Sequence, residues 1–282
     1  VTFWVDPTLA WPRRQVHRPR PGCKLHAMAV AGLPGRPCHV PPGSIVAGLE
    51  SRTCRNGPLT MKLWDISPPV DAQSPVFPGD TPYRQHWVAT LDAACPVNVS
   101  AVTLSPHVGA HADAPLHYDA SGAAVGELAL EPYLGPCRVI HVIGVTPLVH
   151  WSHIVHALPV AGAVLPQRIL LRTCERQPRD HFDEQLTALD PALVEGLADR
   201  GVLLIGIDSA SVDPAASKDL PSHQVLRRRG LRVLENLLLD DIAEGDYELI
   251  ALPLRWTRAD ASPVRAVLRE LPAAQPLAIA QP

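Results

Sequence analysis

The sequence predicts a mixed α/β domain with a curved, largely antiparallel sheet and flanking helices. Short runs rich in Val, Ile and Leu outnumber helical patterns, and most lie too close together for repeated crossover helices. A helix with a complete start signal appears only well down the chain, at Asp190-Pro191. In chain order, Leu63-Trp64-Asp65-Ile66 reads as a short apolar strand, followed by turns at Pro68-Pro69 and Pro78-Gly79-Asp80. From Val97 to Leu104, Val alternates with Asn, Ser and Thr, the pattern of a half-buried strand. Arg138 to Ile143 and Arg168 to Arg172 read as further strands. At the helix, Asp190 is the N-cap, Pro191 takes the first helical position, and an apolar period runs through Leu193 and Leu197 to Gly201. Val202 to Ile207 follows as a buried strand and Tyr247 to Leu254 as another.

At 282 residues, 46% hydrophobic and 19% charged, the chain has the composition of an ordinary soluble protein with ample core material. A net charge of -3 argues against a general nucleic-acid binder, although it averages two unlike regions. Residues 1–60 hold seven Arg and one Lys against two acids, a balance of +6, and the remainder carries −9. The same sixty residues hold nine of the 31 Pro and no sustained period, so they cannot bury enough surface to offset ordering entropy. The expectation is one folded domain over 61–271, beginning near Met61. Residues 1–60 are expected to be a disordered or non-native extension, and 272–282 a flexible tail. No stretch reaches the roughly 18 to 20 apolar residues of a membrane span, and the opening lacks the order of a secretory signal. Cys95, Cys137 and Cys174 lie far apart, in or beside apolar runs, and are expected to be buried, reduced thiols in a cytoplasmic protein.

The chemistry concentrates between Ser105 and Tyr118, where three histidines and an aspartate fall within eleven positions. Imidazole and carboxylate are the ligands of zinc and its first-row neighbours. Gly109 and Pro115 argue against a helix here and for a turn that wraps an ion. His107, His111 and Asp113 form the tight group, and Asp113 could bridge two ions. A hydrolytic site keeps a position open for water, so His117, set apart by Ala114-Pro115-Leu116, is the candidate proton donor, with a fourth ligand as the alternative.

The stretch His107-Val-Gly-Ala-His111-Ala-Asp113-Ala-Pro115-Leu-His117 resembles the cyclase-like hydrolases, and among them the bacterial kynurenine formamidases. The similarity runs from about Leu63 to Leu271 through Trp64-Asp-Ile-Ser-Pro-Pro, Pro78-Gly-Asp-Thr-Pro, Leu134-Gly-Pro-Cys-Arg-Val-Ile, Gly206-Ile-Asp-Ser, Asp246-Tyr-Glu-Leu-Ile-Ala-Leu-Pro-Leu and Asp260-Ala-Ser-Pro-Val-Arg. It implies a cyclase-like swivelling β/β/α fold, a homodimer, and two divalent ions, usually zinc, with manganese in some relatives. The implied ligands are His107, His111 and Asp113, then His223 and, twelve residues on, Glu235. Without the resemblance His223 reads as a surface helix residue, and Glu235 as a lone carboxylate in an apolar stretch, costly to bury unless paired. Two departures from the family pattern are Ala110 in place of threonine, and Phe77 in place of a tryptophan that lines the substrate pocket.

The implied reaction is hydrolysis of N-formyl-L-kynurenine to formate and L-kynurenine by metal-activated water, with His117 protonating the leaving anilide nitrogen. The two departures keep a cyclic amide hydrolase of the isatin hydrolase kind as an alternative. A non-catalytic metal- or ligand-binding protein on the same fold is a second one, which has no use for a spare imidazole at His117. Ser105, Ser209 and Ser211 lack the Gly-x-Ser-x-Gly context of a serine hydrolase.

Overall fold

The computed structural model describes residues 61–159 and 164–271. The expectations for residues 1–60 and 272–282 lie outside the described residues. The strands in chain order are β1 (Leu63–Asp65), β2 (Arg84–Ala89), β3 (Val99–Thr103), β4 (His111–Asp113), β5 (Leu134–His141), β6 (Leu148–Val149), β7 (Arg168–Arg172), β8 (Ala188–Leu189), β9 (Leu204–Ile207), β10 (Arg232–Glu235), β11 (Gly245–Ile250), β12 (Ala261–Pro263) and β13 (Val267–Arg269). The helices are α1 (Trp151–Ile154), α2 (Pro191–Asp199) and α3 (Pro221–Arg229). Nine strands form one mixed sheet in the order β1-β13-β11-β5-β7-β9-β10-β4-β12. Its flanks are antiparallel as expected, but the centre β5-β7-β9-β10 is parallel, joined by crossovers that contain α1, α2 and α3.

The parallel centre is buried on both faces, which explains why its strands read as unbroken apolar runs. Alternation along each strand still sorts the two layers. Ile169, Leu171, Ile205, Ile207 and Val233 face Leu193, Val194 and Leu197 of α2 and Val225 and Leu226 of α3. Leu170, Leu204 and Leu234 face the opposite layer with Ile66, Tyr133 and Leu249. Gly206 lies where a Cβ would come within 2.5 Å of Leu170 Cδ2 and 2.7 Å of Leu237 Cδ1, so a larger residue would have to displace both leucine side chains.

The predicted helix is α2. The Asp190 side chain accepts the Ala192 N–H at 2.9 Å, and Gly201 (φ +81°) turns the chain after it. One strand expectation fails. The Val97–Leu104 segment forms β3, but it pairs only with β2, and Val99 and Val102 are exposed where a half-buried face was expected. The hairpin lies outside the main sheet, and among the described residues its apolar side has no core beneath it. Among the cysteines, Cys137 is buried, whereas Cys95 and Cys174 are half-buried, and all three are free thiols.

Candidate metal centre

The histidine run is half turn and half strand. Ser105 to Ala110 makes the turn, with the Val108 N–H donating to the Ser105 carbonyl at 3.2 Å. Gly109 holds φ +66° there, and a Cβ on it would lie 2.6 Å from Val70 Cγ2. His111 to Asp113, which the sequence placed in the turn, is instead the buried strand β4. Its two-residue repeat points His111 and Asp113 to one face. Antiparallel pairing sets Glu235 of β10 directly opposite His111, so the same face gains a second carboxylate.

Helix α3 brings in the remaining group. Pro221 opens it, and Asp213 accepts the N–H of Ser222 at 2.8 Å and of His223 at 3.0 Å, a remote carboxylate on a helix N-terminus. His223 is only 2% exposed, which overturns its reading as a surface residue. The helix lies over the sheet face that carries Val233, the same face as Asp113 and Glu235.

The candidate ligand atoms fall into overlapping groups, each within 4.8 Å: His107, His111 and Asp113; and Asp113, His223 and Glu235. Asp113 belongs to both. All five residues singled out as ligands are therefore together. His117 lies beside them, its ring centroid 4.3 Å from that of His107, in a third group with His107 and Asp260. Phe77 is 53% exposed and stands on the wall of the adjoining cavity, edge-on to Phe182 with ring centroids 5.2 Å apart.

The hydrogen bonds fix which nitrogens are free. His111 Nδ1 lies 2.9 Å from the Gly109 carbonyl, and a carbonyl only accepts, so Nδ1 carries a proton and Nε2 is the nitrogen left for a cation or a second proton. That Nε2 faces Asp113 Oδ1 and Glu235 Oε2, both at 3.4 Å. In the same way His223 Nδ1 donates to Asp213 Oδ2 at 2.7 Å, and its Nε2 faces Asp113 Oδ2 at 3.4 Å and Glu235 Oε1 at 3.6 Å. Without a proton or a cation between them, lone pairs would confront carboxylates in this buried space, and His111 Nε2 and Asp113 Oδ1 have no hydrogen-bond partner among the described residues. Acceptors arranged this way require positive charge between them. The balance of burial against hydrogen bonding points the same way. Burial opposes a charged ring, yet hydrogen bonds with Asp113 and Glu235 push His111 up to about 10. Burial likewise opposes charge on His223, but Asp113 and Asp213 raise it to about 10. Burial would raise Asp113, and hydrogen bonds from His107, His111 and His223 hold it well below the usual carboxylate range instead. The donor set of imidazole and carboxylate fits divalent first-row cations.

Sequence reasoning gave no role to several residues that the fold brings here. Asp260 Oδ2 lies 3.0 Å from His107 Nε2 and 3.3 Å from His117 Nδ1, and hydrogen bonding from His107 holds its carboxyl far below the usual range. Its place in the Asp260-Ala-Ser-Pro segment was the available signal. Asp213 and Phe182 carry no local signal, because each acts through a partner distant in sequence.

The ligand face opens on a cavity of about 350 Å³ whose walls include His107, His111, His117, His223, Glu235 and Phe182. It lies beyond the C-terminal ends of β7, β9 and β10, where parallel sheets hold their ligands.

The Cyclase family model matches residues 64–214. A kynurenine formamidase of Paracidovorax citrulli (strain AAC00-1) is 67% identical over 207 residues, which cover 73% of this chain and 96% of the relative. One from Delftia acidovorans (strain DSM 14801 / SPH-1) is 67% identical over 213 residues, 76% of this chain and 100% of the relative. A solved structure of a potential metal-dependent hydrolase with cyclase activity matches with a TM-score of 0.65 at 25% identity, over 76% of this chain and 100% of its own. Isatin hydrolase A from Labrenzia aggregata shares the fold, with a TM-score of 0.63 at 22% identity over 74% of this chain and 94% of its own. The chain belongs to the Cyclase family and, within it, to the kynurenine formamidases.

Proposed function

We propose that this protein hydrolyses N-formyl-L-kynurenine to formate and L-kynurenine at a site holding two divalent cations, zinc first and manganese second. One observation carries the reading: formamidases 67% identical to the chain align over 96% and 100% of their own lengths. His107, His111 and Asp113 would hold the first ion, and Asp113, His223 and Glu235 the second. Bound there, the cations supply a water of lowered pKa and a Lewis acid for the formyl oxygen.

The chain's own residues do the rest. Asp113 and Glu235 supply the negative charge that keeps cations in a buried space, and Asp213 fixes the His223 tautomer. His117 gives a proton to the anilide nitrogen as the C–N bond breaks. Asp260 takes the Nδ1 side of that ring, leaving Nε2 to exchange the proton with substrate. Phe77 and Phe182 cover the aryl ring. The amino-acid end of the substrate lies toward exposed His181 and half-buried Asp183.

A homodimer is part of the reading. Trp87, Val88, Leu91, Val97, Val99 and Val102 leave the β2–β3 hairpin apolar and exposed, and a two-stranded hairpin is marginal in water alone. A second copy covers it. Free thiols fit a reducing cytoplasm, and among the described residues no helix is long and apolar enough to cross a membrane.

The test compares turnover of N-formylkynurenine and isatin by metal-loaded protein, before and after chelation. Activity on the formanilide that chelation abolishes and metal restores is expected. Full activity after complete metal removal, or turnover of isatin alone, overturns the reading. The isatin alternative has likeness of fold behind it at 22% identity.

A further inference from the structure

Of the five candidate ligands, His107 alone is held by neither strand nor helix. His111 and Asp113 sit on β4, Glu235 on β10 and His223 on α3, whereas His107 lies in the turn between Ser105 and Ala110, its side chain 20% exposed. Ser105 anchors that turn and is itself only 3% exposed. Its main-chain N–H donates to the Thr81 carbonyl at 3.0 Å, and its carbonyl accepts the Val108 N–H at 3.2 Å. Its hydroxyl donates to Asp80 Oδ2 at 2.5 Å and accepts the His107 N–H at 3.3 Å. A hydroxyl has a single hydrogen and a carboxylate only accepts, so the bond to Asp80 leaves the Oγ lone pairs for His107. An O–H bond to a carboxylate is also one of the stronger kinds of hydrogen bond. Asp80 is fixed in its turn: Oδ1 accepts the Thr81 N–H at 2.7 Å, and its own N–H donates to the Phe77 carbonyl at 2.9 Å. Asp80, Phe77 and His107 all stand on the wall of the reaction cavity.

We propose that Asp80 is a positioning residue for the first cation: through the Ser105 hydroxyl it holds the His107 turn in place, and it does so from the turn that carries Phe77. This rests on the metal-centre reading. The other ligands have anchors of their own. His111 and Asp113 are held by the ladders of β4 with β10 and β12, Glu235 by β10 and by the Val212 N–H that its Oε1 accepts at 2.9 Å, and His223 by α3 and Asp213. None of these contacts involves Asp80 or Ser105. Loss of the relay therefore loosens His107 selectively. The cation it shares with His111 and Asp113 binds more weakly, and the one at Asp113, His223 and Glu235 does not. A partner that orients a ligand in this way contributes about 10- to 100-fold in metal affinity.

The experiment titrates metal-stripped full-length protein with zinc in competition with a chromophoric chelator, and takes as the first-ion step the one that His107→Ala removes. Ser105→Ala is expected to weaken that step about 10- to 100-fold and to leave any other step within about twofold of wild type. Asp80→Asn keeps the volume but sets an NH₂ against one of two donors, and should weaken the same step. Because the two residues act in series, the double variant should bind within about threefold of the weaker single variant. A first-ion step unchanged in either single variant, equal weakening of a step that His107→Ala leaves intact, or additive losses in the double variant overturns the inference while the metal-centre reading stands. Wild-type protein that binds no zinc, or a His107→Ala protein that loses no step, defeats both together. Should Ser105→Ala fail to fold, Asp80→Asn decides by the same comparison.

Discussion

Replacing Asp213 by Asn probes the metal centre without touching a ligand. Asp213 is 1% exposed and accepts three N–H groups: Ser222 N at 2.8 Å, His223 N at 3.0 Å and His223 Nδ1 at 2.7 Å. Burial would raise its pKa, and the hydrogen bonds from His223 and Ser222 outweigh that and lower it, so it is an anion at neutral pH. Asn keeps the shape, leaves no cavity and loses the charge. One oxygen becomes NH₂, which either opposes the Nδ1–H of His223 or drives that proton to Nε2, the atom aimed at Asp113 and Glu235. A charge-assisted hydrogen bond contributes about 1.5–3 kcal/mol, and losing the partner that orients a metal-binding histidine costs about 10- to 100-fold in affinity. The two agree, since each tenfold is about 1.4 kcal/mol. Removing an anion from the α3 N-terminus lowers fold stability by a further 0.3–1 kcal/mol or so. Competition titration against a chromophoric chelator measures the affinity, with thermal unfolding run in parallel. A folded Asp213→Asn protein that binds metal within twofold of wild type refutes the reasoning, because His223 Nε2 would then not depend on its partner.

Three further outcomes follow from the same geometry. His117→Ala should keep its metal content, measured by atomic emission, while kcat drops about 10²- to 10⁴-fold; loss of metal in that variant would make His117 a ligand. In metal-free protein, the folded-state values of His111 and His223 (about 10) and His107 (about 9) lie above the ordinary value of 6.5, since partner carboxylates overcome burial. Their contribution is therefore complete below about pH 6.5 and fades as pH climbs through 9–10. The thermal midpoint of chelated protein should fall over that window, and metal-loaded protein should not follow it; parallel curves would contradict the assigned charges. Gly122→Ala would put a Cβ 2.4 Å from the Pro115 carbonyl carbon and 2.6 Å from the Leu116 nitrogen, backbone that cannot yield easily. We expect about 1–3 kcal/mol of destabilisation with lower activity per bound metal, because the displaced segment carries His117. A thermal midpoint equal to wild type would show that the contact relaxes freely.

Much of the centre was legible because its residues are dense in sequence. Three imidazoles and a carboxylate within eleven positions announce metal chemistry whatever the fold. Glu235 was visible as a physical oddity, a charge inside Leu234 to Leu237, and it proves to be 3% exposed. His223 was not, since a histidine in a helix beside three arginines looks like solvent-facing surface until α3 is laid on the sheet. The β3 alternation marked a strand, but the half-buried face it predicted is not found, since no pattern states what lies beneath a strand.

The sequence by itself determined the local matters: the start and stop of α2, the apolar central strands, and the ligand types in the histidine run. These depend on neighbours within a turn or two of chain, through capping, periodicity and coordination chemistry. Only the tertiary structure decided that the sheet centre is parallel, that Glu235 stands opposite His111, and that Asp80, Asp213 and Asp260 flank the site. Strand register and crossover placement depend on packing energies summed over the whole domain. Contacts between residues more than a hundred positions apart, such as Asp113 with His223, therefore leave no mark on either local sequence.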